Sequence, residues 1–232
     1  METRKLAIIP ARGGSKRIQR KNIRPFLGQP IIKYSIDAVL DTGCFDEIMV
    51  STDDEEIAEI SVKLGANVPF MRSRETSSDF AMTADVIEEV LMEYRKRDKE
   101  FDFCCCLYPT APFISAERLI EGLNILKDKN ADSVMPVVRF SYPIQRALKI
   151  EDGHLSMVWP ENLNKRSQDL MPAYHDVGQF YWLRVESFLK QKTLFGKYSV
   201  PIEVPESEVQ DIDNEEDWKI AEVKYRVYKN IT

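Results

Sequence analysis

The segment from Leu6 to Asn22, LAIIPARGGSKRIQRKN, constrains the fold more than any other part of this chain. A short apolar run that ends at Pro10 is typical of a buried strand. Two glycines and five cations follow directly, the cations being Arg12, Lys16, Arg17, Arg20 and Lys21. Because Gly13 and Gly14 lack a Cβ, their N–H groups can approach a ligand closely and adopt positive φ. Converging N–H dipoles and cations bind phosphate groups, so the segment predicts a loop that holds nucleotide phosphates.

The charge distribution sharpens this prediction. Nine Lys or Arg residues and no acid lie between Thr3 and Ile36, although the 232-residue chain carries a net charge of −6. One basic island on an acidic protein suits a compact nucleoside triphosphate better than a nucleic-acid backbone, so no nucleic-acid partner is expected. The alternative is a solvated basic surface, and two glycines directly after a strand argue against it. The sequence contains no GxxxxGK[ST] or GxGxxG pattern and no protein-kinase signature.

Size and composition are those of an ordinary globular protein. With 44% hydrophobic residues, the chain can bury a core as one domain over residues 1–232. No apolar run approaches the ~18 residues of a membrane span, and the N-terminal apolar stretch is too short for a signal peptide, so no membrane partner is expected. The consecutive cysteines Cys104, Cys105 and Cys106 have neither disulfide nor zinc spacing. They predict small, buried strand residues in a protein of the reducing cytoplasm.

Strand-like apolar runs alternate with helical patterns along most of the chain. The predicted strands are Leu6–Ile9, Glu47–Ser51, Val68–Met71, Phe103–Leu107, Ser133–Val138, Gln179–Leu183 and Val200–Val204. The predicted helices are Pro30–Leu40, Asp54–Leu64, Thr83–Arg97, Ala116–Lys127, Val185–Gln191 and Asn214–Tyr225. This alternation predicts an α/β fold with a mostly parallel, doubly wound sheet. Ligands of such sheets bind at the carboxyl ends of the strands, where the basic loop begins.

The alternation breaks between residues 140 and 176, where turn signals replace long helices. The runs Ala147–Ile150 and His154–Val158 flank an EDG turn and predict a hairpin. Large apolar residues such as Tyr142 and Trp159 are too numerous for a solvated loop. We therefore predict a small antiparallel flap that is used for dimerisation, the alternative being an insertion without a partner.

An acidic pair near the C-terminus complements the basic loop. In extended backbone, the spacing of Asp211 and Asp213 directs both carboxylates to one face. Two carboxylates, with water and phosphate oxygens, are typical Mg²⁺ ligands. Alternatively, Asp213 or Asn214 is the N-cap of the last helix. A triphosphate loop elsewhere in the chain favours the Mg²⁺ site.

Three motifs together carry a family resemblance. They are PARGGSK followed by Lys21-Asn22, the turn Tyr108–Pro112, and the Asp-Ile-Asp segment followed by Asp217-Trp218. In this combination the chain resembles the cytidylyltransferases that activate nonulosonic acids, the sialic-acid-type sugars, over nearly its whole length. The resemblance implies a fold of the nucleotide-sugar transferase type. It also implies that the anomeric hydroxyl of the sugar attacks the α-phosphate of CTP, which releases pyrophosphate and forms a CMP-sugar.

The resemblance and the basic loop assign roles to individual positions. The predicted nucleotide-binding residues are Arg12, Gly13, Gly14, Ser15, Lys16, Lys21, Asn22, Arg72, Ala81 and Thr83. The predicted sugar-binding residues are Tyr108, Gln145, Arg166, His175 and Tyr181. Asp211 and Asp213 match the Mg²⁺ carboxylates, and the candidate catalytic residues are Lys21, Arg12 and Asp211, with Lys21 stabilising charge on the α-phosphate. In the family the flap crosses to the neighbouring subunit of a homodimer, which would place Arg166 in the partner's sugar site.

Departures from the family pattern concern the sugar. Members that activate sialic acid usually have glutamine at the position of Tyr108 and lysine at that of Gln145, and an Arg-Pro-Asn-Gly pattern is common there in the segment that reads Tyr174 to Tyr181 here. The segments SYPIQRALKI, WPEN, NKRSQDL and YHDVGQFYW instead resemble the bacterial members that act on pseudaminic acid. Legionaminic acid, N-acetylneuraminate and an eight-carbon sugar acid are alternative substrates. A non-catalytic nucleotide-binding protein is the alternative of another class.

Overall fold

Residues 3–231, which the computed structural model describes, form a mixed α/β fold around a central, mostly parallel sheet. The strands are β1 (Lys5–Pro10), β2 (Pro25–Phe26), β3 (Gln29–Pro30), β4 (Glu47–Ser51), β5 (Phe103–Leu107), β6 (Ser133–Arg139), β7 (Leu148–Glu151), β8 (His154–Met157), β9 (Tyr174–Asp176), β10 (Phe180–Arg184) and β11 (Ser199–Glu203). The helices are α1 (Ile32–Thr42), α2 (Glu55–Lys63), α3 (Thr83–Arg95), α4 (Ala116–Asp128), α5 (Val185–Gln191) and α6 (Glu215–Tyr228). Among these helices, none is both long and apolar enough to cross a membrane.

The central sheet has the strand order β11-β6-β10-β5-β1-β4, and β9 pairs with β6 beyond the end of β10. β1 is parallel to both β4 and β5, and β11 is parallel to β6, so the predicted mostly parallel sheet is confirmed. β10 is antiparallel to both of its neighbours, a reversal that the sequence pattern did not predict. Its first residue, Phe180, pairs with Leu107 at the carboxyl end of β5. The reversal therefore brings the segment before β10 to the ligand-binding edge of the sheet.

Helices cover both faces of this sheet, as predicted. α3 and α5 pack against the face that carries Cys104 and Cys106, and α1, α2 and α4 pack against the face that carries Cys105. All three cysteine side chains are fully buried, because successive strand residues point to opposite, covered faces. The prediction that these cysteines are core residues is confirmed.

One predicted strand is wrong. Residues 68–71 do not pair, and the chain makes only a single bridge there, between Met49 and Asn67. Pro69 has no N–H group and cannot continue a ladder, which explains why the pairing stops. Helix α1 begins after Pro30, which lies in β3, and ends at Gly43 in the left-handed conformation with φ 58°.

The segment between residues 140 and 176 contains the predicted antiparallel hairpin, formed by β7 and β8 as a separate two-stranded sheet. Asp152 and Gly153 form its turn with φ of 50° and 79°. Large apolar side chains are exposed here, including Tyr142 (86%), Ile150 (75%) and Met171 (77%). The flap thus presents an apolar surface that the rest of the described chain does not cover.

Candidate active site

A cleft of about 280 Å³ opens at the carboxyl ends of β1 and β5, where the sheet edge was predicted to bind a ligand. It lies between the basic loop, the loop that precedes α3, and the turn after β5. The predicted nucleotide residues that line this first cleft are Arg12, Ser15, Lys16, Lys21, Asn22, Arg72, Ala81 and Thr83. The structure therefore brings together side chains from two separate segments, residues 12–22 and residues 72–83.

Gly13 and Gly14 do not line this cleft. The N–H of Gly13 donates to Asp53 Oδ1 at 2.9 Å, and a Cβ at Gly13 would lie 2.7 Å from Asp54 Oδ2. Glycine is thus required at position 13 because α2 begins against it. Neither glycine has a positive φ, so that expectation was wrong.

Two cations of the loop, Arg12 and Lys16, are paired with Asp79, which was not predicted as a site residue. Arg12 Nη1 lies 2.7 Å from Asp79 Oδ1, and Lys16 donates to the other oxygen of the same carboxylate. These hydrogen bonds from Lys16 and Arg12 lower the pKa of Asp79. The only sequence signal was an acid inside the loop between two predicted nucleotide residues, Arg72 and Ala81.

The base of that loop is held by buried polar contacts. Arg72 is 8% exposed, and its guanidinium donates to Ser51 Oγ at 3.0 Å and to Ser51 O at 2.5 Å. Burial lowers the pKa of Arg72. Glu89 on α3 accepts from Ser73 N at 2.8 Å, Ser73 Oγ at 2.7 Å and Thr76 Oγ1 at 2.5 Å. Helix α3 therefore anchors the loop that carries the far wall of the cleft.

Lys21 connects the basic loop to the acidic segment. Its Nζ donates to Ile212 O at 2.6 Å and lies 3.8 Å from Asp213 Oδ1, while Arg17 pairs with Asp213 at 2.8 Å. Burial lowers the pKa of Lys21, and the charges of Asp213 and Asp211 oppose this shift. The cation predicted to act on the α-phosphate is thus held between the first cleft and the predicted metal ligands.

The two acids of that segment face different clefts. Asp213 lines the first cleft and Asp211 lines a second one, so the two carboxylates do not share one face as their spacing had predicted, because residues 211–213 are not in a strand. The N-cap of α6 is Asn214, whose side chain accepts from Glu216 N at 2.8 Å and Asp217 N at 3.0 Å. The cap function therefore belongs to Asn214, and the carboxylate of Asp213 is not needed for it.

The donor set fits a magnesium ion that shares its coordination with a substrate. Burial, and next the charge of Asp213, raise the pKa of Asp211, and a bound cation would relieve that repulsion. Within residues 3–231, no group of three or more His, Cys, Asp or Glu side chains could hold a metal ion. Mg²⁺ is commonly bound by one or two carboxylates together with substrate phosphates and water, which matches this pair.

The second cleft has a volume of about 670 Å³ and adjoins the first, since Tyr108 lines both. The predicted sugar residues Tyr108, His175 and Tyr181 line it. Asp176 and Arg139, which also line it, were not predicted. Their positions follow from the β6–β9 pairing, which the sequence pattern did not reveal.

Contacts among Thr83, Tyr108, Tyr181 and Asp176 form the wall between the two clefts. The hydroxyls of Tyr108 and Thr83 are 3.0 Å apart, the rings of Tyr108 and Tyr181 have centroids 5.6 Å apart, and the Tyr181 hydroxyl donates to Asp176. Burial raises the pKa of both tyrosines, so both keep their protons at neutral pH. The wall is therefore aromatic, and its hydroxyls contact Thr83 of the first cleft and Asp176 of the second.

Two predicted sugar residues lie in neither cleft. Gln145 donates to Met171 O at 2.8 Å, and Arg166 pairs with Asp169 at 2.7 Å on the exposed flap. Their distance from the clefts follows from the separate sheet of the flap. His175 also has local contacts, with its Nδ1 2.9 Å from Asp176 O and its ring 4.7 Å from that of Phe140.

Comparisons with known proteins identify the family of this chain. A family model described as Cytidylyltransferase matches residues 6–217. The chain is 40% identical over 223 residues to the pseudaminic acid cytidylyltransferase of Campylobacter jejuni, covering 96% of both chains. It is 33% identical over 224 residues to the CMP-N,N'-diacetyllegionaminic acid synthase of Legionella pneumophila, covering 94% of both.

In fold alone, the chain is similar to two solved structures. One is a CMP:2-keto-3-deoxy-manno-octonic acid synthetase complexed with CTP, with a TM-score of 0.68 at 16% identity over 99% of this chain and 100% of that chain. The other is the 4-diphosphocytidyl-2C-methyl-D-erythritol synthase of Anaerococcus prevotii, with a TM-score of 0.64 at 16% identity over 97% of this chain and 99% of that chain. The family match and the sequence identities establish that this chain belongs to the cytidylyltransferase family.

Proposed function

We propose that this chain transfers CMP from CTP to the anomeric hydroxyl of pseudaminic acid and releases pyrophosphate. The observation that carries the proposal is the junction of two clefts at Tyr108, one basic and one walled by tyrosines, with Asp211 and Asp213 between them. The identity to a pseudaminic acid cytidylyltransferase supports the choice of sugar.

The first cleft would bind CTP. Arg12 and Lys16 would contact the phosphates, and Lys21 would stabilise the charge that develops on the α-phosphate when the sugar oxygen attacks it. The bond from the α-phosphorus to the bridging oxygen then breaks, pyrophosphate leaves, and the proton of the sugar hydroxyl is released to solvent. Asp211 and Asp213 would hold Mg²⁺, which supplies neutralisation of phosphate charge when bound. Arg72, Ala81 and Thr83 would accept the cytosine and ribose.

The direct test is an assay of pyrophosphate release with Mg²⁺. CTP with pseudaminic acid should turn over, and ATP or GTP should not replace CTP, because the chain belongs to the cytidylyltransferase family. Legionaminic acid, N-acetylneuraminate and the eight-carbon acid are the comparison substrates, and a higher kcat/KM for one of them would reassign the sugar. CTP binding without turnover of any acid would indicate a non-catalytic nucleotide-binding protein.

We also propose a homodimer of single-domain subunits in the cytoplasm, with residues 140–176 as the dimerisation flap of the domain 1–232. The exposed apolar side chains of the flap support it, because a two-fold interface is the commonest cover for such a surface. The four free cysteines suit a reducing compartment. Arg166, which lies outside the clefts of its own chain, would bind the sugar carboxylate in the partner's site.

A mixed dimer tests the crossing of Arg166. One subunit carries Arg166→Ala and the other carries Lys21→Ala. If the arginine acts across the interface, one site has both defects and the other has none, so about half the activity per dimer remains. Activity near that of the single variants would place Arg166 in its own subunit's site. A monomer by light scattering at the assay concentration would contradict the dimer itself.

A further inference from the structure

Asp176 is a carboxylate in the second cleft with two fixed contacts. Its Oδ1 accepts from Gly178 N at 2.9 Å, and its Oδ2 accepts from the Tyr181 hydroxyl. The first contact is a local turn in which a side chain bonds the backbone two residues on. The second joins two strands, since Asp176 lies on β9 and Tyr181 lies on β10, and both strands pair with β6. Despite both contacts, the Asp176 side chain remains exposed to the cleft.

These contacts determine which groups this wall can bind. A carboxylate is an acceptor only, and each of its oxygens retains a lone pair after one hydrogen bond. The single hydroxyl hydrogen of Tyr181 is given to Asp176, so Tyr181 offers only lone pairs to its other neighbours. Asp176 and Tyr181 together therefore present acceptors to the cleft, and a ligand group that faces them has to be a donor.

The negative charge of Asp176 adds a second constraint. Within residues 3–231, Asp176 forms no ion pair, and its carboxylate would repel the carboxylate of a sugar acid. The acid end of the ligand must therefore point away from the wall formed by Asp176 and Tyr181. An acylamino N–H group is a donor without an acceptor on the same atom, which suits an acceptor-only wall better than a hydroxyl does.

We propose that Asp176 is a specificity-determining residue that accepts a hydrogen bond from the N–H of an acylamino substituent on the sugar acid. This rests on the proposed function, because it assumes that the second cleft binds the sugar. Hydrogen bonds to charged acceptors are the stronger ones, so removing the charge should weaken sugar binding by about 10- to 100-fold.

Asp176→Asn is the informative variant. Asparagine retains the side-chain turn to Gly178, so the path of the chain into β10 is kept. It loses the charge and introduces an NH₂ donor that can face the ligand N–H. Tyr181→Phe retains the buried ring and removes only the hydroxyl that Asp176 accepts. The matched control is Asp128→Asn, at an exposed acid at the end of α4.

The experiment combines calorimetric binding of pseudaminic acid with steady-state pyrophosphate release. We expect Asp176→Asn to weaken binding of pseudaminic acid and raise its KM about 10- to 100-fold, while the KM for CTP and the melting temperature stay at wild-type values. The preference for pseudaminic acid over the eight-carbon acid, which carries no acylamino group, should fall by a similar factor. Tyr181→Phe should have a smaller effect in the same direction, and Asp128→Asn none.

Equal loss toward both acids, or equal effects on the KM values for CTP and sugar, would overturn the role of Asp176 and leave the proposed function intact. Failure of the wild-type protein to bind or turn over any of the sugar acids would overturn the proposed function and, with it, this inference.

Discussion

The carboxylate of Asp79 lies 2.7 Å from the guanidinium of Arg12 and also accepts a hydrogen bond from Lys16. Both cations line the first cleft and are the groups predicted to contact phosphate. In this structure, Asp79 therefore accepts the hydrogen bonds from Arg12 and Lys16 that the phosphates of CTP would accept. Binding of CTP should separate Asp79 from the two cations.

The first prediction follows from this competition. Asp79→Asn should lower the KM for CTP, because Arg12 and Lys16 no longer have to leave a carboxylate before they meet phosphate. Exposed ion pairs are weak, so the change should be no more than a few-fold, and it should shrink at high salt. Glu75→Gln, at an exposed acid of the same loop, is the control for a general change of charge. A higher KM for CTP in Asp79→Asn would show that Asp79 supports nucleotide binding.

The second prediction concerns the metal pair. Asp211→Asn should nearly abolish turnover and leave the melting temperature close to the wild-type value, since a neutral amide is a poor ligand for a hard cation. Asn214 rather than an aspartate caps α6, so the helix should persist. Pyrophosphate release at saturating Mg²⁺ measures this, with Glu216→Gln as the control on the same segment. Full activity of Asp211→Asn would remove this residue from the mechanism.

The third prediction separates two cations of the basic loop. Lys21→Ala should reduce kcat by about 10² to 10³, or ~2.7–4 kcal/mol, with a smaller change in the KM for CTP, if Lys21 acts on transition-state charge. Lys16→Ala should mainly raise that KM, because Lys16 is exposed beside the phosphate position. Steady-state kinetics on both variants provide the comparison. If Lys21→Ala raises the KM for CTP by the same factor by which it lowers kcat, Lys21 is a phosphate contact of the ground state.

The fourth prediction concerns the anchor of the loop before α3. Burial alone would raise the pKa of Glu89, but hydrogen bonds from Thr76 and Ser73 outweigh it, so the pKa is lowered below its ordinary value of 4.5. A carboxyl group with a lowered pKa stabilises the fold at neutral pH, and this contribution is lost as the pH falls below about 4.5 toward the pKa of the folded state.

Glu89→Gln should therefore reduce the free energy of unfolding at pH 7 by about 1 kcal/mol, and the difference from wild type should shrink below pH 4.5. Denaturant unfolding at several pH values measures it. Glu88→Gln is the matched control, because its carboxylate pairs with the exposed Lys192. A difference that is constant with pH would show that the charge of Glu89 is not involved.

Local sequence signals predicted most of the fold. A buried strand such as β5 is marked by a continuous apolar run, and an amphipathic helix such as α4 by the spacing of its apolar residues and by its N-cap. Both signals depend only on neighbouring residues. The antiparallel direction of β10 was not predicted, because strand direction depends on which partners meet in the sheet. The false strand at residues 68–71 shows the same limit, since β-branched and apolar residues indicated a strand that Pro69 prevents.

The candidate site was predictable where a motif stays contiguous. Arg12, Lys16 and Lys21 lie in one loop and line one cleft. Asp79 and Asp176 were not predicted. Asp79 contacts Arg12, which is far away in sequence, and Asp176 contacts Tyr181 because the chain bends between β9 and β10. Gln145 and Arg166 lie outside both clefts of this chain because they belong to the flap, whose hairpin forms a sheet of its own.

The central claim is that this protein transfers CMP from CTP to a sugar acid. Mass spectrometry of the reaction of purified protein with CTP, Mg²⁺ and pseudaminic acid tests it most directly, with pyrophosphate measured in parallel. We predict a CMP-linked sugar and pyrophosphate in equal amounts, formed only when both substrates are present and formed far more slowly by Lys21→Ala. Absence of the CMP-sugar, or pyrophosphate release that does not depend on the sugar acid, would contradict the account.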